Sequence, residues 1–175
     1  KASLAHAIML ESIGIITSDE LEQLRKGLQI LSKSIEKGEF IIEETFEDVH
    51  SKIEHELTKT LGGVGKKIHT ARSRNDQVLV ALQLYYKENL EIINTKTKIF
   101  FNTLLGLAET HKAQLLPGYT HLQVAMPSSF GLWFSAYAEL LIDDVYILNA
   151  VSKITDQNPL GSAAGYGSSF PIDRN

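Results

Sequence analysis

The chain has 175 residues, of which 43% are hydrophobic and 22% charged, and its net charge is −4 at pH 7. These values are typical of a globular protein with one domain or parts of two. The mild acidity argues against a general nucleic-acid surface, and no apolar run approaches the roughly 20 residues that a membrane span needs. Cysteine is absent, which excludes disulfides and thiolate metal sites and is compatible with a reducing compartment.

Helical patterns fill the first third of the chain. Residues 2–13 place apolar side chains on one helix face, and Gly14 ends this pattern. Thr17 and Glu20 have the spacing of a capping box, which predicts a second helix that ends near Gly38. A third helix is predicted from about Phe46 to Leu61, and the glycine-rich sequence that follows it breaks the chain.

A basic block at 66–77, KKIHTARSRNDQ, contrasts with the negative charge of the whole chain. Ser73, Asn75 and Asp76 are residue types that cap helices, and a long apolar helical pattern begins directly after them. A helix N-terminus beside two arginines favours an anion, because dipole, donors and charge act together. The block therefore predicts a site for a small carboxylate-bearing molecule. The alternative is a solvated basic loop with an ordinary cap.

Two long helices are predicted in the second half of the chain. The first runs from Asn75 to about Leu116, and about 40 residues at ~1.5 Å each give a rod of ~60 Å. Its apolar side chains point in several directions, which favours a helical bundle completed by other subunits. The alternative is a helix bent or broken at Gly106 inside a compact monomer.

A turn is predicted at Pro117-Gly118, between the two long helices. The second helix is predicted to begin near Pro127, a favoured residue at a first helical position, and to reach about Ile154. A loop rich in glycine and serine follows at 158–171. No strand is predicted, so the expected fold class is all-α.

Four stretches carry a family resemblance. HTARSRNDQV at 69–78 and GYTHLQVAMP at 118–127 resemble two signatures of the argininosuccinate lyases in the fumarase/aspartase superfamily, and EDVHSKIE and NPLGSAAGYGSSFPIDR resemble further family stretches in the expected order. The resemblance implies an all-α long-helix bundle of the fumarase/aspartase type. Residues 1–71 would belong to an N-terminal helical domain, and 72–175 would form the first half of the central bundle domain. We therefore expect the chain to be a fragment of a longer protein.

His121 is the candidate for proton transfer. An imidazole suits acid–base work near neutral pH, although a histidine in a turn is more often structural. The resemblance implies that His121 takes part in proton transfer and that Thr120 contacts the substrate, with Gln123 as a further candidate. The sequence leaves open whether the histidine is the acid, the base or the group that polarises another catalyst.

Arg74 and Asn75 match the substrate-binding pair of the family, and Ser73 lies beside them. Argininosuccinate has three carboxylates, and removal of a proton next to one of them creates a dianionic aci-carboxylate. Cations and N–H donors placed around that group would stabilise the transition state. The resemblance implies a β-elimination to arginine and fumarate without a cofactor, in a cytoplasmic homotetramer whose active sites use residues from three subunits. Nucleic-acid and membrane partners are not expected.

Asp48 and His50 are possible site residues, because the resemblance places their motif beside the active site. The alternative is a helix cap and a surface histidine. His50 and His55 are five residues apart and do not match a zincin pattern, so no metal is assigned. His6 and His111 are expected at surface or packing positions.

The catalytic serine of the superfamily is not assigned to this chain. Ser168 and Ser169 look close to its loop, but the spacing to the proline is one residue short and Asp173 replaces a lysine. We therefore expect this polypeptide to be inactive alone. The other functional readings are another superfamily lyase such as fumarase or aspartase, a crystallin-type structural protein, and an unrelated anion-binding helical module.

Overall fold

The computed structural model describes residues 1–174 and is mostly helical, which confirms the predicted fold class apart from one β-hairpin. The described elements follow in chain order: α1 Ala2–Ser12, α2 Ser18–Glu36, α3 Val49–Leu61, α4 Gly63–Lys67, α5 Arg74–His111, β1 Leu115–Thr120, β2 Gln123–Ser129 and α6 Phe130–Thr155. The chain divides into two compact units. The first unit is Lys1–Leu82 with Asn158–Asn175, and the second is Gln83–Gln157. The domain boundary near Arg72 stays a prediction, and Asn175 lies outside the described residues.

The first unit has its core between α1, α2 and α3, with buried members Ala7, Leu10, Ile16, Leu24, Leu57 and Ile68. The predicted capping box is confirmed at the start of α2. The Glu20 N–H donates to Thr17 Oγ1 at 3.2 Å, and the Thr17 N–H donates to Glu20 Oε2 at 3.0 Å. Two otherwise unpaired donors at the helix start are satisfied in this way.

Helix α3 begins at Val49 rather than at the predicted Phe46, because Asp48 is its N-cap. Asp48 Oδ1 accepts a hydrogen bond from the Ser51 N–H at 2.8 Å. Lys52 of α3 contacts the segment before the cap. Its Nζ lies 2.8 Å from Glu43 Oε1, in an ion pair, and 4.8 Å from the centre of the Phe46 ring, in a cation–π contact. These two contacts fix the direction in which the chain approaches the N-cap residue Asp48.

In the second unit, helix α5 ends at His111, before the predicted Leu116, and α6 begins at Phe130, after the predicted Pro127. Ser129 is the N-cap of α6, and its Oγ accepts from the Leu132 N–H at 3.1 Å. Within this unit the end of α5 approaches α6 closely at Gly131. An added Cβ there would lie 2.9 Å from the Ala108 carbonyl oxygen of α5 and 2.6 Å from the Cα of Lys112, which follows α5.

The residues between α5 and α6 form an antiparallel hairpin, so the prediction of no strand was wrong. The predicted turn at Pro117-Gly118 was also wrong, because Pro117 lies within β1, opposite Pro127 of β2. Both strands are edges of a two-stranded sheet, where a missing proline N–H is tolerated. The register shifts between Gly118 and Tyr119, and such an irregularity increases the local twist.

Both long helices carry large hydrophobic side chains that are exposed in the single chain. Examples at least half exposed on α5 are Tyr85, Ile99 and Phe100, and on α6 Leu132, Leu140, Tyr146, Ile147 and Ile154. Although α6 is rich in apolar residues, none of the helices in residues 1–174 combines the length and hydropathy of a membrane-crossing segment.

Candidate active site

The N-terminus of α5 is built by Ser73 and Asp76. The Ser73 N–H donates to Asp76 Oδ2 at 2.7 Å, and the Asp76 N–H approaches Ser73 Oγ at 3.4 Å. Asp76 is only 1% exposed, and its Oδ1 also accepts from Ser162 Oγ at 3.3 Å. The reciprocal bonds satisfy helix-start donors and fix the backbone at which Arg74 and Asn75 begin the helix.

Arg74 is held at this helix start by two acidic residues that precede α3. Its Nη1 donates to Asp48 Oδ2 at 2.7 Å and to Glu47 Oε2 at 3.2 Å. Burial raises the pKa of Asp48, but the hydrogen bond from the Ser51 N–H and the guanidinium of Arg74 outweigh this effect and leave that pKa below its usual value. Asp48 is therefore ionised at neutral pH and fixes one end of the guanidinium.

The structure thus places Asp48 in contact with Arg74, and it places Ser73 at the start of α5. Asn75, beside them, is exposed. His50, two residues after Asp48, is partly buried. Its pKa is lowered by burial and by the positive charges of Arg74 and Arg72, against a smaller rise caused by Asp48. The imidazole is therefore neutral at pH 7 and can both donate and accept a hydrogen bond.

A pocket of about 350 Å³ lies beside Arg74 in the first unit. Its lining residues are Phe46, Ser51, Glu54, His55, Thr58, Lys66 and Arg74. Lys66 and Arg74 contribute positive charge, and Ser51 and Thr58 contribute hydroxyl groups, so the pocket offers donors to an anionic group. Glu54 also lies 3.3 Å from His69 Nδ1, and its carboxylate limits the net positive charge of the pocket.

Glu47 is the partner of Arg74 that sequence reasoning missed. It was part of the quoted motif, but nothing in its local spacing indicated that it would contact a residue 27 positions away. The oppositely charged block at 66–77 was the available signal, since an acidic pair before α3 and a basic pair at the start of α5 have complementary charges.

In the second unit, Thr120, His121 and Gln123 form the tip of the hairpin. Thr120 is paired with Gln123, which leaves His121 and Leu122 as a two-residue turn with φ of 49° and 64°. Positive φ at both central residues is typical of a type I′ turn, which glycine and asparagine normally occupy. The three candidate residues are exposed, and Leu122 is 98% exposed.

Two L-residues held in left-handed backbone at one loop tip are a strained arrangement, of the kind that is concentrated at functional sites. The tip carries a hydroxyl and an imidazole on the consecutive residues Thr120 and His121, and these groups are suited to hydrogen bonding and proton transfer. That His121 and Arg74 face one small polyanion, contributed by neighbouring copies of the protein, stays a prediction.

The helical fold of the chain is shared with lyases of known structure. The chain is similar to the crystal structure of EDDS lyase in complex with formate, with a TM-score of 0.86 and 25% identity over 98% of this chain and 33% of that one. It also shares its fold with a fumarate lyase:delta crystallin from Brucella melitensis, with a TM-score of 0.80 and 16% identity over 95% of this chain and 41% of that one.

The sequence profile of the lyase family matches residues 1–175, so the chain belongs to this family. The argininosuccinate lyase of Phocaeicola vulgatus is 58% identical over 172 residues, which are 98% of this chain. The chain spans about 39% of the length of that relative. The resemblance stated from the four sequence stretches is thereby confirmed.

Proposed function

We propose that the chain forms part of an argininosuccinate lyase, which cleaves L-argininosuccinate into L-arginine and fumarate. The observation that carries the proposal is the guanidinium of Arg74, fixed by Asp48 at 2.7 Å at the first turn of α5. The identity to relatives named argininosuccinate lyase supports the choice of substrate. We also propose that the protein acts in arginine biosynthesis in the cytoplasm.

Arg74, Asn75 and Ser73 bind a carboxylate of the substrate in this proposal. Asp48 occupies one end of the Arg74 guanidinium, and the longer contact is made by Glu47, whose side chain is 80% exposed. An exposed ion pair contributes little to stability, so a substrate carboxylate replaces Glu47 at small cost. The positive end of the helix dipole and the first N–H groups of α5 add to this attraction.

The elimination then needs two proton transfers. A base takes the proton from the carbon next to the bound carboxylate, and the electron pair forms the aci-carboxylate. The C–N bond breaks, its electrons go to the leaving nitrogen, and an acid protonates that nitrogen as fumarate and arginine separate. We assign His121 to proton transfer and Thr120 to substrate contact, with Gln123, His50 and Asp48 bordering the site. No electron acceptor enters this balance, so the reaction needs no redox cofactor.

A homotetramer with active sites shared between subunits completes the proposal. The exposed apolar side chains of α5 and α6 support it, since such surfaces are typical of subunit interfaces. We expect the 175-residue polypeptide to be inactive alone, because the serine that the family resemblance requires is not assigned to it.

The test is the release of fumarate, followed by its ultraviolet absorbance, from the full-length protein given argininosuccinate, malate or aspartate in separate reactions. Turnover of argininosuccinate alone supports the proposal. Turnover of malate or aspartate instead would assign the protein to another fumarate-releasing reaction. If none of the three substrates is converted, the enzymatic reading is wrong and a structural role is favoured.

A further inference from the structure

A buried histidine on α1 contacts the loop that leads into the candidate site. His6 is 7% exposed, and its Nε2 lies 2.9 Å from the carbonyl oxygen of Thr70, 64 residues away. A carbonyl oxygen only accepts, so Nε2 carries the hydrogen and donates it. Burial and the nearby charge of Arg72 lower the pKa of His6 to about 4, so the imidazole is neutral at pH 7.

The residue after Thr70 is strained. Ala71 has φ of 59°, a left-handed backbone that L-residues other than asparagine and aspartate rarely adopt. Such a conformation persists only where the surrounding contacts determine it. The hydrogen bond from His6 fixes the peptide carbonyl on one side of Ala71. It therefore helps to hold Ala71 in the left-handed conformation.

Arg72 fixes the other side of the strained residue. Its Nη2 donates to the carbonyl oxygen of Ile68 at 2.7 Å, and its Nη1 lies 3.4 Å from Ser3 Oγ. Arg72 is 8% exposed, and burial lowers its pKa to about 10, which keeps it charged at pH 7. Ser3 and His6 both belong to α1, so one helix contacts the loop on both sides of Ala71.

The position of this loop determines where α5 begins. Ser73, the capping residue, is only two residues after Ala71, and Arg74 and Asn75 follow it directly. Relaxation of Ala71 to ordinary helical or extended backbone would turn the chain at that point and displace the guanidinium from its place beside Asp48. A displacement of about 1 Å is enough to weaken a preorganised site markedly.

We propose that His6 is a positioning residue of the substrate site, which holds the strained loop at 70–72 and thereby the anion-binding start of α5. The inference rests on the proposed function for its kinetic test, but the geometry it describes belongs to this chain alone. An apolar residue of similar size would fill the same space without the cost of burying a polar ring. The hydrogen bond to Thr70 is a contact that such an apolar residue could not make.

Three variants of the full-length protein test the inference. His6→Gln keeps an N–H donor within reach of the Thr70 carbonyl, whereas His6→Leu fills the space but leaves that carbonyl without this donor. Leu10→Val is the matched control, because Leu10 is fully buried on the same helix and contributes to the hydrophobic core. It lowers stability without removing a side-chain hydrogen bond to the loop.

Steady-state kinetics with argininosuccinate give the first readout. We expect His6→Leu to raise KM about tenfold, because the ground-state carboxylate contact weakens. It should also lower kcat at least about threefold, because the same carboxylate gains charge in the transition state. His6→Gln should remain within about threefold of the parent KM. Leu10→Val should keep the parent KM even if its unfolding midpoint falls as much as that of His6→Leu.

Amide hydrogen exchange gives a second readout that needs no activity. His6→Leu should speed exchange in residues 70–76 about tenfold relative to Leu10→Val, and His6→Gln should not. If the parent protein converts no argininosuccinate, the proposed function fails and the exchange result alone decides the positioning role. If His6→Leu and Leu10→Val match in both readouts, His6 is only a core residue and the inference is wrong.

Discussion

Each oxygen of the Asp48 carboxylate accepts a hydrogen bond from a different residue. Oδ1 accepts from the Ser51 N–H, and Oδ2 accepts from Arg74 Nη1. Substitution by asparagine keeps a good cap but removes the charge beside Arg74, whereas alanine removes both. We expect Asp48→Ala to lower the free energy of unfolding by about 1 kcal/mol and Asp48→Asn by only a few tenths, as measured by urea unfolding. Equal losses in the two variants would show that the cap is not what Asp48 contributes to stability.

His6 predicts a pH dependence of stability. Its pKa is about 4 in the folded chain against an ordinary 6.5, so the unfolded chain binds more protons between these values. Stability therefore falls as the pH is lowered from 6.5 to 4, by an upper limit of about 3 kcal/mol. Thermal unfolding across this range should show a shallower slope in His6→Gln than in the parent protein. The same slope in both would mean that other groups, such as His50, cause the loss.

The candidate site illustrates what single residues reveal in a sequence. The residue types Ser73, Asn75 and Asp76 predicted a capped helix start, and the structure has one between Ser73 and Asp76. The contacts of Arg74 could not be predicted, because they join residues 26 and 27 positions apart and depend on how α3 packs. His6 was assigned to the surface or to packing, and its polar contact to Thr70 required the tertiary structure.

At the scale of whole elements, two helical glycines predict opposite effects of the same substitution. An alanine Cβ at Gly131 would lie 2.6 Å from Lys112 Cα and 2.9 Å from the Ala108 carbonyl oxygen, whereas one at Gly106 would meet no atom within 4 Å. We expect Gly131→Ala to cost about 1–3 kcal/mol through forced separation of α5 and α6. Gly106→Ala should instead stabilise α5 by up to about 1 kcal/mol.

Chemical unfolding of the two single variants measures this difference directly. Each variant is the control for the other, since both add one methyl group to a helix of the same unit. A loss of stability at Gly106 similar to that at Gly131 would show that the close approach of the helices does not set the cost.

The helices were predictable because apolar periodicity and capping residues act locally. The capping box at Thr17 and the long α5 pattern are examples, although the helix ends moved by three to five residues at Phe46, Leu116 and Pro127. The hairpin was missed for a physical reason. Its turn consists of His121 and Leu122 instead of the usual asparagine and glycine, and its strands contain prolines that normally argue against a strand.

For the molecule as a whole, the exposed apolar residues of α6 predict that its surface is buried between subunits. Ile147 is 64% exposed in the single chain. We expect Ile147→Asp to shift the full-length protein from the proposed tetramer toward smaller species in sedimentation velocity, because a buried unpaired carboxylate is costly.

Asn149→Asp is the matched control for that experiment, since it adds the same charge at an exposed polar position of the same helix. It should leave the sedimentation coefficient unchanged. An unaltered tetramer in Ile147→Asp would exclude this part of α6 from the subunit interface. The sequence indicated association through excess apolar surface, but the number of subunits came only from the family resemblance.

Under the proposed function, the left-handed turn at His121 and Leu122 sets thermal stability against catalysis. Asparagine and glycine relax such a turn, and each relaxed position is worth about 1 kcal/mol. A laboratory selection for thermostability alone would therefore enrich Asn-Gly at 121–122 and discard the imidazole. A second selection would also require growth that depends on the proposed arginine-forming activity. If histidine persists at position 121 in that selection, the trade-off between stability and activity lies in this dipeptide.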